Sequence, residues 1–159
     1  TGHMDIINRS MKFCDELYVS LGTNPLKKTM FTDEQRLKQI NMAVDRGVEF
    51  LRSTNIRVTS FQGLLVKYAK EIGATILVRG IRSVSDFEYE INLANINKVL
   101  APSIETVFLP TSPELAVVSS SMVKEIAKYG GDISRFVPAH VVSEVMSQFG
   151  FFKTGNPEK

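Results

Sequence analysis

The feature that most constrains the fold is a repeated alternation of short β-rich runs with longer amphipathic runs. The clearest case is ATILVRG, Ala74 to Gly80, an apolar run of the kind that occurs in strands buried on both faces. It leads into SVSDFEYEINLANINKVL, Ser83 to Leu100, whose apolar residues recur at helical spacing. Strands that alternate with helices are typical of a parallel sheet covered by helices, so we predict an α/β fold.

The same alternation runs along the whole chain. Strands are predicted at Glu16–Gly22, Ile56–Phe61, Ala74–Gly80 and Ile104–Pro110. Helices are predicted in the opening segment, from Thr32 through Ala43, and at Gln62–Gly73, Ser83–Leu100, Ser119–Gly130 and Pro138–Gly150. We therefore expect one domain over residues 1–150, with residues 151–159 as a loosely held tail.

Composition excludes several classes of protein. The 159 residues are 43% hydrophobic, enough for a proper core, and 19 Lys and Arg against 17 Asp and Glu leave a net charge of only +2. A charge this small does not favour nucleic acid or a membrane as the main partner. The single cysteine, Cys14, excludes an internal disulfide and fits a reducing cytoplasm, as does the lack of a secretory or transmembrane run. Two histidines without an acidic cluster argue against a metal cage built by the protein.

Two arginines mark a candidate anion site. Arg79 ends the apolar strand, and Arg82 follows Gly80 just before the long helix. Ligands of open α/β sheets bind beyond the carboxyl ends of strands, and the planar guanidinium suits phosphate. The alternative is a solvated salt-bridge network with acidic residues of the helix, among which Asp86 and Glu90 share one face.

Three serines and two lysines offer further phosphate donors. Ser119 to Ser121 directly precede a helix, where free backbone amides and the helix dipole attract anions, although serine at this position is usually only a cap. Lys27 and Lys28 stand in a loop after the first predicted strand, where such lysines are usually only solvated. All three groups fall on the same edge of the predicted sheet.

The opening stretch TGHMDII adds a fourth element. Gly2 and His3 begin a helix, so that unpaired amides and an imidazole could both face an anion. A vector remnant is the alternative on these residues alone.

Six segments carry a family resemblance, in this order along the chain: Gly2-His3, NPLKK, FQGLL, VRGIRSVSDFEYE, FLPTSPE and SSSMVKEIA. Together they resemble bacterial phosphopantetheine adenylyltransferases, and the resemblance extends from Gly2 to about Phe149. The resemblance implies a single-domain, Rossmann-like nucleotidyltransferase fold with helices on both faces of the sheet. It also identifies Gly2 and His3 as part of a T-x-G-H motif rather than a vector remnant.

The resemblance implies adenylyl transfer from ATP to 4′-phosphopantetheine by direct in-line displacement, with Mg²⁺ held by the nucleotide. The implied catalytic residues are His3, Lys27 and Arg79, and Lys27, Leu65 and Arg79 would bind phosphopantetheine. The implied ATP-binding residues are His3, Gly80, Ile81, Arg82, Glu90, Leu115, Ala116, Val117, Val118, Ser119, Ser120 and Ser121. A cytoplasmic homohexamer, with coenzyme A as a feedback ligand, is also implied.

The sequence departs from the family pattern in two places. The family's first strand and its S/T-F-D-P turn do not precede Thr1, and the connection around Val44–Asn55 is longer than expected. Two alternatives therefore stay open. One is another adenylyl- or cytidylyltransferase of the superfamily, against which DFEYE and FQGLL argue. The other is an inactive fragment that binds a nucleotide or coenzyme A, if the strand is truly absent.

Overall fold

The computed structural model describes residues 2–24, 26, 28–47 and 55–151, and it confirms the α/β prediction. Strands are β1 (Glu16–Thr23), β2 (Asn55–Gln62), β3 (Ile76–Ile81) and β4 (Glu105–Pro110). Helices are α1 (Gly2–Ser10), α2 (Asp33–Gly47), α3 (Leu65–Glu71), α4 (Val84–Leu100), α5 (Pro113–Ala116), α6 (Ser120–Lys128) and α7 (Ala139–Gln148). The chain divides into two compact units, one of residues 2–116 and one that starts at residue 117.

All described strands lie in the first unit, as two parallel pairs. β1 pairs with β2 from Glu16 opposite Asn55 to Thr23 opposite Gln62, and β3 pairs with β4 in the same parallel sense. Parallel strands require a long crossover, which α2 and α4 supply within their pairs. The first unit thus contains two strand–helix–strand repeats.

Helices cover both faces of the β3–β4 pair, as the sequence predicts. Successive side chains of a strand point to opposite faces. Gly80 faces α1, because a Cβ built on it would lie 3.0 Å from Cγ1 of Ile6. On the other face, Phe108 of β4 meets Phe87 of α4 edge to face, with ring centroids 5.5 Å apart. Arg79 lies opposite Phe108 in the ladder and therefore shares this second face.

A small apolar core lies on that second face. Val66 and Ala69 of α3 pack with Leu77 of β3, and Ala101 and Ile104 between α4 and β4 complete the cluster. All five residues are at most 9% exposed. Their burial fixes β3 beneath α3 and α4.

Local sequence signals explain most element boundaries. Thr32 and Gln35 form the predicted capping box, with the Thr32 N–H donating to the Gln35 side chain and the Gln35 N–H to the Thr32 hydroxyl. Gly73 and Gly130 follow α3 and α6 with φ of 73° and 74°, a left-handed conformation that glycine adopts at no steric cost.

The prediction was wrong at the start of α3, and it missed one short helix. Gln62 is the last residue of β2, paired with Thr23, so α3 begins at Leu65 after a turn at Gly63 with φ of 94°. The ladder hydrogen bonds of β2 outweigh the helical tendency of this stretch. The short helix α5 was not predicted, because four residues are too few to show a periodic pattern.

The second unit consists of α6, α7 and their connection. The two helices pack together, and its buried apolar residues are Val123, Ala127, Ile133, Val145 and Met146. None of the helices in the described residues has the length and apolar character needed to cross a membrane.

Candidate active site

Arg79 is held in a fixed orientation near the carboxyl end of β3. Its Nε and Nη2 donate to the two carboxylate oxygens of Glu90 on α4, at 2.7 and 2.6 Å. Hydrogen bonding to Glu90 raises the pKa of the Arg79 guanidinium above its ordinary value, although burial opposes this shift. A two-point contact of this kind fixes the plane of the guanidinium as well as its position.

Arg82 is also paired with a carboxylate of α4, that of Asp86, which lies one turn nearer the start of the helix than Glu90. Its Nε donates to Oδ2 of Asp86 at 2.8 Å. The backbone N–H of Asp86 is itself capped by the Ser83 hydroxyl at 3.2 Å, which begins α4 immediately after the arginine. Both arginines therefore form ion pairs with the helix carboxylates that the sequence analysis named as their alternative partners.

His3 lies close to both guanidiniums. His3 as a whole residue is exposed, but nearby residues of the same chain surround its imidazole. The resulting desolvation is the largest cause of a His3 pKa below the ordinary 6.5. The positive charges of Arg79 and Arg82 lower the pKa of His3 further. At neutral pH the imidazole is therefore uncharged, and it can donate a hydrogen bond to an anion without adding to the repulsion between the arginines.

Helix α1 is tied to the chain after β4 by two residues that the sequence reasoning missed. Oδ2 of Asp5 accepts from the backbone N–H of Ser112 and from Nη1 of Arg9, both at 3.2 Å. Nη1 of Arg9 also donates to the carbonyl oxygen of Pro110 at 2.5 Å. The i,i+4 spacing of Asp5 and Arg9 was visible in the sequence, but their backbone partners, Ser112 and Pro110, were not.

Glycine at position 80 lets α1 approach β3 closely. A side chain there would press against Ile6, since a Cβ at this position would lie 3.0 Å from its Cγ1 and 3.3 Å from its Cδ1. Close packing at this point brings the first turn of α1, with His3, over the end of the strand that carries Arg79. The prediction that Gly80 and Ile81 line a nucleotide site stays a prediction.

Together these groups form a site suited to phosphate. Two guanidiniums, a neutral imidazole and the first turn of α1 meet at the carboxyl end of β3. That end of a parallel strand is where α/β proteins bind ligands. Such an arrangement can hold phosphate groups and stabilise negative charge that develops on them.

The predicted adenine and triphosphate run, 115–121, is divided between the two units. Leu115 and Ala116 end α5 in the first unit. In the second unit, the Ser119 hydroxyl caps α6 by accepting from the Met122 N–H at 3.1 Å. This hydroxyl therefore has the structural role that serine commonly takes at a helix start.

The remaining residues of the run are placed around this cap. Ser120 and Ser121 are exposed in the first turn of α6. Of the two valines before Ser119, Val117 is exposed and Val118 is partly buried. The binding of ATP by this run stays a prediction.

The predicted phosphopantetheine residues differ in how well they are placed. Lys27 lies outside the described residues. Leu65 is partly buried and packs against the core cluster, whereas its neighbour Leu64 is 61% exposed. Contact between Leu65 and a ligand stays a prediction, and the structure adds Leu64 as the more accessible side chain.

Metal-binding side chains do not cluster in the described part of the chain. No group of three or more His, Cys, Asp or Glu residues converges there in a geometry that could hold an ion. The carboxylates beside the candidate site, Asp86 and Glu90, are engaged by arginines.

Comparison with known proteins agrees with the geometry. The model of the cytidylyltransferase-like family matches residues 1–126. The phosphopantetheine adenylyltransferases of Synechococcus elongatus and Heliobacterium modesticaldum are 45% and 44% identical over 93% and 94% of this chain, and over 86% and 85% of their own lengths. That of Herpetosiphon aurantiacus is 46% identical over 88% of this chain and 81% of its own.

These similarities cover nearly the whole chain, and the family match includes the helix start, both arginines and the serine run. The chain therefore belongs to the phosphopantetheine adenylyltransferase family, a group of nucleotidyltransferase enzymes in coenzyme A biosynthesis.

Proposed function

We propose that this chain transfers the adenylyl group of ATP to 4′-phosphopantetheine, giving dephospho-coenzyme A and pyrophosphate. The observation that carries the proposal is the meeting of His3, Arg79 and Arg82 at the carboxyl end of β3. Both substrates are phosphate esters, and the reaction needs groups that position phosphates and stabilise charge. It needs no protein nucleophile.

The reaction proceeds by direct in-line displacement. An oxygen of the phosphopantetheine phosphate forms a bond to the α-phosphorus of ATP. The bond from that phosphorus to the oxygen that bridges the β-phosphate breaks, and pyrophosphate leaves with that oxygen and both electrons. Charge grows on the bridging oxygen in the transition state, so hydrogen-bond donors placed beside it lower the barrier.

Three residues carry the catalytic roles in this proposal. His3 donates from its neutral imidazole to the phosphates as charge develops. Arg79, oriented by Glu90, binds the phosphopantetheine phosphate. Lys27 assists at the same phosphate, a role that rests on the family resemblance, as does the contact of Leu65 with the pantetheine arm.

The nucleotide is bound on the other side of Gly80. Gly80, Ile81 and Arg82 line the site in this proposal, and the family resemblance adds Glu90 and residues 115–121 to the ATP-binding residues. Mg²⁺ bound with the nucleotide would supply positive charge to the triphosphate.

The test is release of pyrophosphate by the purified protein. Release should require ATP, Mg²⁺ and 4′-phosphopantetheine together. Faster release with nicotinate mononucleotide, or with glycerol phosphate and CTP, would identify a different nucleotidyltransferase of the superfamily. Binding of ATP or coenzyme A without turnover would identify a binding protein instead of an enzyme. Inhibition by coenzyme A that added 4′-phosphopantetheine reverses would support feedback at the same site.

We also propose that the chain assembles as a homohexamer in the cytoplasm. The observation in support is the outer face of α4, because this helix of 17 residues has no buried residue. Its exposed apolar side chains include Val84, Tyr89, Ile96, Val99 and Leu100. Apolar surface of this extent favours contact with another copy. Sedimentation should give six chain masses, and Val99→Lys should shift the protein towards smaller species.

A further inference from the structure

Asp5 and Arg9 form a charged pair on α1 that has no place in the reaction proposed above. The pair joins the helix to two backbone groups, the carbonyl oxygen of Pro110 at the end of β4 and the N–H of Ser112 just after it. These contacts span 107 and 101 residues of sequence, so they fix the tertiary position of α1 rather than its local conformation. Hydrogen bonds from Ser112 and Arg9 lower the pKa of Asp5, although burial raises it.

The pair is partly enclosed rather than solvated. The Asp5 side chain is 17% exposed and that of Arg9 is 32% exposed. Hydrogen bonds to charged groups contribute more than neutral ones, and enclosure reduces the screening by water that makes most surface pairs weak. Loss of Asp5 would leave the Ser112 N–H without this acceptor, and loss of Arg9 would leave the Pro110 carbonyl without this donor. In either case the remaining charge of the pair would lose its partner.

A helix of nine residues depends on such contacts for its position. Isolated helices of fewer than about 12 residues are marginal in water, so α1 is held by its neighbours. Ile6 on Gly80 limits how closely the helix approaches β3. Packing alone would still permit the helix to tilt or rotate, and the polar contacts of Asp5 and Arg9 oppose both movements.

We propose that Asp5 and Arg9 are positioning residues, which fix α1 against the end of β4 so that His3 stays beside Arg79 and Arg82. His3 lies two residues before Asp5, so a tilt about the Asp5 contact would move the imidazole directly. A misplacement of about 1 Å can cost ~100-fold in rate. This inference rests on the proposed function for its effect on turnover, but not for its effect on the position of His3.

The experiment compares Asp5→Ala with Asp33→Ala. Asp33 makes a matched control, since it also lies in the first turn of its helix and pairs with an arginine, Arg36 at 3.0 Å. Asp5→Ala should lower kcat by ~10- to 100-fold and change the KM for ATP by less than about 3-fold, because binding groups stay in place while alignment is lost. Asp33→Ala should leave both values unchanged.

A second readout is independent of turnover. The chain has two histidines, so NMR can follow the imidazole of His3 with His140 as an internal reference. In Asp5→Ala the pKa of His3 should rise towards 6.5, as the ring leaves the crowded place beside the arginines. Loss of the Asp5 charge alone would have the opposite sign, because a nearby carboxylate favours the imidazolium. An upward shift therefore reports movement of the ring.

Conservative variants separate positioning from folding. Asp5→Asn keeps an acceptor for the Ser112 N–H and should retain more activity than Asp5→Ala, and Arg9→Gln should lose activity in the same direction as Asp5→Ala. If Asp5→Ala does not fold, Asp5→Asn and Arg9→Gln carry the test. A lower Tm with unchanged kcat and an unmoved pKa of His3 would overturn the proposal. A wild-type protein without turnover would overturn the proposed function instead, and the NMR result would still decide the role of Asp5.

Discussion

The two strand pairs of the first unit differ in the charge that they carry at their carboxyl ends. Both have an ion pair near the amino end, Arg57 with Glu16 at 2.7 Å in β1–β2 and Lys98 with Glu105 beside β4. At the carboxyl end, β3–β4 presents Arg79 and Arg82, whereas the last residues of β1 and β2 are uncharged. The ends of parallel strands are the usual ligand edge, and among the described strands the arginines suited to phosphate lie at this end of β3–β4.

The β1–β2 pair has a neutral polar cluster in place of these cations. The hydroxyls of Ser20, Thr59 and Tyr68 lie within 3.2 Å of one another, and the rings of Tyr68 and Phe61 stack with centroids 4.8 Å apart. Of the two lysines after β1, Lys28 lies outside any helix or strand, and Lys27 lies outside the described residues. The comparison teaches that β3–β4 carries arginines held by carboxylates of α4 near its carboxyl end, whereas β1–β2 has neutral hydroxyl and ring contacts beyond the ion pair at its amino end.

The largest expected effect concerns His3, on the charged side of this comparison. Removal of a preorganised donor to developing charge typically costs ~100- to 1,000-fold in turnover. His3→Ala should therefore lower kcat by that factor while ATP still binds, as measured by pyrophosphate release and calorimetry. His140→Ala, in the second unit, is the matched control and should be neutral. A change in KM alone would remove His3 from the transition state.

The next effect distinguishes the two arginines. A charge-assisted hydrogen bond to phosphate contributes roughly 1.5 to 3 kcal/mol. Arg79→Ala should therefore weaken phosphopantetheine binding by ~10- to 150-fold and affect ATP far less, and Arg82→Ala should do the reverse. Lysine at either position should restore binding only in part, because it lacks the planar fork.

The control for both arginines lies on the other strand pair. Arg57 also pairs with a carboxylate and stands 5.8 Å from the Tyr18 ring centroid, but at the amino end of its strand. Calorimetric titration of Arg57→Ala should show unchanged affinity for both ligands. Equal weakening of both ligands by Arg79→Ala and Arg82→Ala, or no weakening by either, would reduce the arginines to a solvated salt-bridge network.

A smaller effect is expected on the neutral side of the comparison. Tyr68→Phe removes a hydroxyl but keeps the stacked ring, and the Ser20 and Thr59 hydroxyls, 3.0 Å apart, can still bond to each other. The free energy of unfolding should fall by about 0.5 to 1.5 kcal/mol, the usual net contribution of one hydrogen bond. Urea denaturation measures this loss. A large fall in kcat would show that the hydroxyl cluster acts on the substrates.

The smallest effect is the pH dependence of stability due to His3. Its pKa lies below 6.5 in the folded protein, so the unfolded chain binds the proton more readily. The contribution of His3 to the free energy of unfolding should be fully present above pH 6.5. It should decline as the pH falls from 6.5 through the lower pKa of His3 in the folded protein. His3→Gln should flatten this part of the profile, measured as denaturation midpoints between about pH 5 and 7.5. An unchanged slope would mean that the imidazole is not crowded in solution.

The sequence predicted the local structure well because its signals act over short distances. The Thr32–Gln35 capping box and the glycines after α3 and α6 depend on residues within one turn of the chain. The prediction was wrong at Gln62, where a neighbouring strand rather than local preference decides the conformation. It also missed α5, which has too few residues to show a period.

The sequence by itself determined the order of strands and helices, the family, and the set of basic residues from which a phosphate site could be built. Only the tertiary structure decided that Glu90 orients Arg79, that Ile6 packs on Gly80, and that Asp5 bonds to Ser112. The physical reason is that such contacts depend on strand register and helix packing between residues distant in sequence, which periodicity and capping patterns do not encode.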